Sequence, residues 1–275
     1  MCDVVVAGVD GSASSLAAVE EAAREALWRQ AELRIVHGLV LPAVPMHVPM
    51  DPSLMVPPED SMQLGAERLV REAVERARRV APQANVTHAV LQGDALTVLE
   101  LQSRSADLVV VGSQGMGGFI GMLLGSTAVF LTAHGQCPVM VVREQPDAAG
   151  PIVLGVDGST AGDRAIDFAF DEAVLRGAEI VALHAHTDRP GMTDESVDLT
   201  NVLESHRERH PNVAVRHAVV QGGAREALID ASKTAQLTVV GARGRGGFTG
   251  LLLGSVSQAL LHHAHSPVAV VRGKE

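Results

Sequence analysis

The chain has no tyrosine, one tryptophan (Trp28) and five phenylalanines in 275 residues, so stacked aromatics cannot supply its core. Aliphatic side chains must fill it, as they do in parallel sheets covered by helices. Long apolar runs are missing too. None reaches the ~18 residues that span a bilayer, and no membrane partner is expected. Cations are scarce: 22 Lys and Arg against 32 Asp and Glu leave a net charge of −10. That sign is wrong for non-specific binding to DNA or RNA, so no nucleic-acid partner is expected. Cysteine is limited to Cys2 and Cys137. The first residues lack the basic and apolar stretches of a signal peptide. Two thiols in that context read as reduced residues of a cytoplasmic protein.

What is present is a repeat. VVVAGVDGS at 4–12 recurs as IVLGVDGS at 152–159, and HAVLQGDA at 88–95 as HAVVQGGA at 217–224. VVVGSQGMGGFIGMLLGS at 109–126 recurs as TVVGARGRGGFTGLLLGS at 238–255, and CPVMVVR at 137–143 as SPVAVVR at 266–272. Asp10 and Asp157 are 147 apart, as are His37 and His184, whereas Gly125 and Gly254 are 129 apart. The first copy therefore carries 147 − 129 = 18 extra residues. They fall in the proline-rich stretch 39–62, which suits a lid over a site or a surface loop. Two domains follow, 1–145 and 151–275, joined by the polar linker EQPDAAG at 144–150.

Within each copy, short runs of Val and Ile alternate with amphipathic stretches. Strands are predicted over 4–9, 33–37, 86–91, 108–112 and 139–143. The first helix is expected to bury Leu16, Val19, Ala23, Ala26 and Leu27, and a second to run over 66–80. Further helices start near Asp94 and Ser126. This β/α alternation predicts a mostly parallel five-stranded sheet with helices on both faces.

Ligands bind such sheets beyond the carboxyl ends of the strands, where the strand order reverses. Asp10 and Gly112 both end strands there. After Gly112 come Gly115, nine further residues, then Gly125, Ser126 and Thr127; copy two repeats the spacing with Gly241, Gly244, Gly254, Ser255 and Val256. Glycines let backbone N–H groups approach phosphate oxygens closely, and the helix opened by Ser126 favours an anion at its N-terminus. The spacing is neither a P-loop nor the dinucleotide fingerprint. These glycines also suit tight turns and close helix–sheet packing, and Asp10 and Asp157 suit capping of the helices that follow.

With these motifs the chain resembles a tandem universal stress protein of the ATP-binding subclass. The match rests on G-x-x-G, nine residues and G-[S/T] in both copies, the Val-Asp-Gly-Ser starts, and the closing Pro-Val-x-Val-Val strands. The resemblance implies two Rossmann-like (adenine nucleotide α hydrolase-like) domains of strand order 3-2-1-4-5. It implies ATP, ADP or AMP as ligand, with or without Mg2+. Asp10 and Asp157 would line the nucleoside pocket, with Val9 and Val156 beside the adenine. Gly112, Gly115, Gly125, Ser126 and Thr127 would surround ribose and phosphates, as would Gly241, Gly244, Gly254, Ser255 and Val256 in copy two. It also implies pairing of the two final strands across a pseudo-twofold axis and a homodimer of the tandem chain.

The copies differ. Arg243 and Arg245 replace Gln114 and Met116, and arginine pairs well with phosphate, so copy two is expected to hold a triphosphate more tightly. After the histidine of the second strand, Gly38 and Ala185 stand where the family commonly has a bulkier apolar residue, leaving room or a gap. His206 and His210 lie one helical turn apart without an evident third metal ligand and read as a solvated face. No catalytic constellation is apparent. The expected function is a non-catalytic nucleotide-binding module of the stress response. The alternatives are a slow ATPase or phosphotransferase and a structural protein with empty sites. A titration of Arg243→Gln is expected to show weaker ATP binding than the unaltered chain; equal affinities would remove this arginine from the site.

Overall fold

The computed structural model describes residues 3–41, 59–115, 124–143, 150–186, 199–244 and 252–273. Copy one runs β1 (Val4–Gly8), α1 (Ala13–Arg29), β2 (Glu32–Leu39), α2 (Glu59–Val80), β3 (Asn85–Gln92), α3 (Ala95–Ser103), β4 (Leu108–Gly112), α4 (Ser126–His134) and β5 (Val139–Val142). Copy two repeats it as β6 (Ile152–Gly155), α5 (Thr160–Arg176), β7 (Ile180–His186), α6 (Leu199–Arg209), β8 (Val215–Gln221), α7 (Ala224–Ala231), β9 (Leu237–Gly241), α8 (Ser255–His263) and β10 (Val268–Val271).

The strands form one ten-stranded sheet in the order β3-β2-β1-β4-β5-β10-β9-β6-β7-β8. Each half thus has the 3-2-1-4-5 order expected from the resemblance. Every neighbouring pair is parallel except β5 and β10, which run antiparallel with Met140 opposite Ala269. The seam joins the last strand of each copy about a pseudo-twofold axis.

Alternation along the strands sorts the core into two layers. Val5, Ala7, Leu108, Val110 and Met140 face α1, α2, α5 and α6, while Val6, Val109, Val111, Val139 and Val141 face α3, α4, α7 and α8. Both faces of the central strands are buried, which is why they read as unbroken apolar runs.

Two helices depart from their sequence pattern. α2 begins at Glu59 rather than near Ala66, because its added first turns lie on the surface, with Leu64 54% exposed, and need no apolar stripe. In α1, Leu27 is 38% exposed, whereas Glu21 and Glu25 are buried. The reason is an ion network against α5. Arg29 Nε donates to Glu25 Oε2 at 3.0 Å within α1, and Arg176 Nε to Glu172 Oε2 at 2.7 Å within α5. Each arginine also reaches across, Arg29 to Glu172 and Arg176 to Glu25. Both residue pairs are 147 apart (172 − 25 and 176 − 29), so the quartet obeys the pseudo-twofold. Glu21 adds a third carboxylate, 2.9 Å from Arg176 Nη2. Trp28 lies under the Arg176 guanidinium at 4.9 Å, and Phe168 under that of Arg29 at 5.6 Å.

Burial, and then the neighbouring Glu172 carboxylate, push the Glu25 carboxyl up to about 8. The surrounding carboxylates raise both arginines despite their burial. Arg176→Ala leaves the buried carboxyl groups of Glu21, Glu25 and Glu172 short of a cation, and a loss of about 3–5 kcal/mol is expected in denaturant titration. An acid whose pKa is higher folded than unfolded takes up protons on folding. Its contribution is therefore complete below its ordinary value of 4.5 and is lost as pH rises toward about 8. Stability measured across that window should fall with pH, and the fall should be smaller in Glu25→Gln.

Candidate functional site

The turn after β1 starts the site. Gly11 has a φ of 90° and its counterpart Gly158 one of 69°, a region in which side chains are strained. Asp10 Oδ1 accepts from Ser12 N–H at 2.9 Å, and Ser12 Oγ accepts from Ser15 N–H at 3.2 Å. Ser12, not Asp10, therefore caps α1; Asp10 braces the turn and keeps its second oxygen toward the loop after β4.

That loop is held by hydroxyls of α1. Gln114 C=O accepts from Ser12 Oγ at 3.1 Å and from Ser14 Oγ, and Gln114 N–H donates to Ser14 Oγ at 3.3 Å. Two glycines make the approach feasible. A Cβ on Gly112 would lie 2.6 Å from the Ser14 carbonyl carbon and from Ser15 N, and one on Gly115 would lie 2.6 Å from Asp10 Oδ2. Gly125 closes the loop, donating its N–H to Ser113 C=O at 2.7 Å, and serves as the N-cap residue of α4.

These elements enclose a cavity of about 430 Å3 at the carboxyl ends of β1 and β4. All seven copy-one residues singled out from the sequence line it: Val9, Asp10, Gly112, Gly115, Gly125, Ser126 and Thr127. The structure adds an apolar floor of Val36, Leu99, Val111 and Leu124, with Ala95 and Ala128 at its edges. Val36 and Val111 share the strand face that looks toward α3 and α4, a signal present in the two-residue alternation. Leu99 and Ala95 had no such signal, because only the packing of α3 on the sheet brings them there. Ser12 and Ser14 were missed as clamps for the same reason.

Gly38 also lines the cavity, but it leaves no gap for a larger residue. A Cβ there would meet Gly93 O at 3.0 Å and the Ala95 backbone at 3.1 Å. The start of α3 occupies the space that a bulkier side chain would fill. The 42–58 part of the proline-rich insertion, with the lid reading attached to it, lies outside the described residues, as does Arg245.

Copy two places its counterparts alike. Asp157 Oδ1 accepts from Ser159 N–H at 3.0 Å and from Ser159 Oγ at 2.7 Å. A Cβ on Gly244 would collide with Asp157 Oδ2. Gly241 ends β9, Val156 is buried, and Gly254 donates to Ala242 C=O at 2.7 Å as the N-cap residue of α8, whose first residues are Ser255 and Val256. Here Ser257 Oγ also donates to Ala242 C=O at 3.1 Å. Arg243 is exposed on this loop.

The histidines are structural in their contacts. His37 Nδ1 lies 2.8 Å from Val9 O and His184 Nδ1 2.8 Å from Val156 O, bonds that tie the second strand of each copy to the first. His206 is buried rather than solvated. It faces Phe170 at 5.5 Å and Asp167 at 3.0 Å, and burial lowers its pKa. Among the described residues no group of three or more His, Cys, Asp or Glu is placed to hold a metal ion, and no helix is long and apolar enough to cross a membrane.

The sequence model of the universal stress protein family matches residues 1–143 and 149–272. A universal stress protein of Mycobacterium tuberculosis is 36% identical over 301 residues, covering 98% of this chain and 94% of its own length. One from Mycolicibacterium smegmatis is 38% identical over 291 residues, covering 98% and 96%. The crystal structure of a universal stress protein from Archaeoglobus fulgidus superposes over 98% of both chains with a TM-score of 0.75 at 20% identity, a likeness of fold.

Substituting Gly112 by alanine forces the α1 N-terminus to move. A loss of about 1–3 kcal/mol is expected, read as a lower denaturation midpoint. An unchanged midpoint would show that α1 yields freely.

Proposed function

The chain belongs to the universal stress protein family, and from that premise we propose that it is an adenine-nucleotide-binding regulatory protein with one site per copy. The observation that carries the reading is the copy-one cavity, which gathers Asp10, three loop glycines and the α4 N-terminus at the point where the strand order reverses. Its size falls within the few hundred cubic ångströms usual for small-molecule sites. Val36, Leu99 and Val111 offer an apolar wall for a base, and Asp10 an acceptor for ribose hydroxyls. Ser126, Thr127 and Ala128 present the N–H groups of a first helical turn, which have no partner within the helix, to phosphate.

Binding rather than turnover is favoured by the chemistry of the lining. Asp10 is its only ionisable side chain among the described residues. Phosphoryl transfer ordinarily combines a positioned base with a cation and a metal held by protein. Copy two repeats the turn and the glycine cradle and adds Arg243, so it completes a second site of the same kind. In this reading nucleotide occupancy sets the conformation offered to a downstream partner, and the tandem chain acts in the cytoplasm as a homodimer.

Native mass spectrometry of the purified chain with ATP should show up to two nucleotides. Gly115→Val, which drives a side chain against Asp10, should reduce that number to one without unfolding the protein. A chain that binds no adenine nucleotide would overturn the assignment, and repeated release of ADP in the presence of Mg2+ would make the protein an enzyme.

A further inference from the structure

Two imidazoles stand at the carboxyl end of β7, in the sequence His184-Ala185-His186. Residues two apart on a strand share a face, and their Cα atoms are about 6.6 Å apart. Ala182 packs in the layer under α5 and α6, and Leu183 in the layer under α7 and α8, so both histidines belong to the α5 and α6 side. Ala185, the counterpart of the cavity residue Gly38 (185 − 147 = 38), lies on the other side. The imidazoles thus lie across the sheet from the candidate nucleotide site of copy two.

His184 is 7% exposed, and its Nδ1 lies 2.8 Å from Val156 O. A carbonyl oxygen can only accept, so Nδ1 carries the proton and Nε2 is a bare lone pair. That Nε2 is buried, as is Nδ1 of His186, and neither has a hydrogen-bond partner among the described residues. Buried polar atoms are nearly always paired; two unpaired nitrogens on one strand face form a donor set. The bond from His184 to Val156 is also what a metal ligand needs, because it fixes the tautomer and aims the lone pair. Copy one keeps the bond, from His37 to Val9 O at 2.8 Å, but has the buried Leu39 in place of His186 (186 − 147 = 39). An apolar side chain therefore suffices at this place in the fold, and burying an unpaired nitrogen there costs stability unless something binds it. Solvent reaches the same face: Val219, opposite His184 on β8, is 59% exposed, whereas its counterpart Val90 packs on the core.

We propose that His184 Nε2 and His186 Nδ1 hold one divalent transition-metal ion of the Zn2+ type, with water in its remaining positions. Two neutral nitrogens suit such an ion and not Mg2+ or Ca2+, which take oxygen ligands. The site is separate from any Mg2+ that accompanies nucleotide, and it stands whether or not copy two binds one. Because the His184 ring is bonded to Val156, an ion here stiffens the chain just after β6, where the Asp157 turn begins.

The test is a Zn2+ titration of the full chain after removal of metal with EDTA, followed by native mass spectrometry and by the imidazole nitrogen resonances of 15N-labelled protein. One ion should be retained in about a hundredfold excess of Mg2+. The resonances of His184 Nε2 and His186 Nδ1 should shift together, while those of the neighbouring rings His262 and His263 stay in place. His186→Leu, which installs the copy-one residue, should weaken Zn2+ binding at least about tenfold, and a double variant His262→Ala, His263→Ala should bind as the unaltered chain does. Should His186→Leu fail to fold, the two resonances of the unaltered chain decide. No retained Zn2+, equal binding by a folded His186→Leu, or shifts confined to other histidines would each overturn the site.

Discussion

Glu25, Arg29, Glu172 and Arg176 meet where α1 crosses α5, and the relation between the two copies depends on that meeting. Each arginine is shared between a glutamate of its own helix and one of the other. Removing any member strands charge in a layer closed to water. Buried ion pairs seldom add much net stability over well-packed apolar residues. Their consequence is geometric: few relative placements of α1 and α5 satisfy all four groups together. With β5 and β10 paired on the same axis, the arrangement turns two sheets into one.

Both helices of this junction start at a candidate site. The α1 N-terminus supplies the serines that hold the Gln114 backbone, and α1's last turns enter the ion network. A shift of α1 on occupancy of the cavity therefore has a direct mechanical path to α5. Tight packing at Gly112, where the helix lies against the strand end with no room for a methyl group, keeps that path stiff.

The glycines divide their labour differently from a simple phosphate cradle. Gly112 admits α1, Gly115 admits the Asp10 carboxylate, and Gly125 closes the loop with its own N–H. The first-turn N–H groups of α4 without a partner inside the helix belong to Ser126, Thr127 and Ala128, and under the proposed function these meet the phosphate. The motif therefore works mainly by letting backbone segments approach, and the helix end that it positions supplies the donors.

Much of this was legible in the chain itself. The repeat and the position of the cavity follow from local periodicity, two constant offsets and the rule that sites form where strand order reverses, and the strand order from the family resemblance. Of the seven copy-one residues that line the cavity, the glycines, Asp10 and Ser126 were readable because strand ends and helix starts are set by near neighbours, whereas Val9 came through the resemblance. What packing alone decided lies between segments distant in sequence: Leu99 under the cavity, α3 filling the space beside Gly38, Ser12 and Ser14 gripping Gln114, and His206 buried against Phe170. The charged quartet is the clearest case. Nothing in the local sequence marks Glu25 and Arg29 for burial, since charged residues are seldom buried unless paired. Only the opposing helix, 147 residues further on, supplies the partners that let them lie inside.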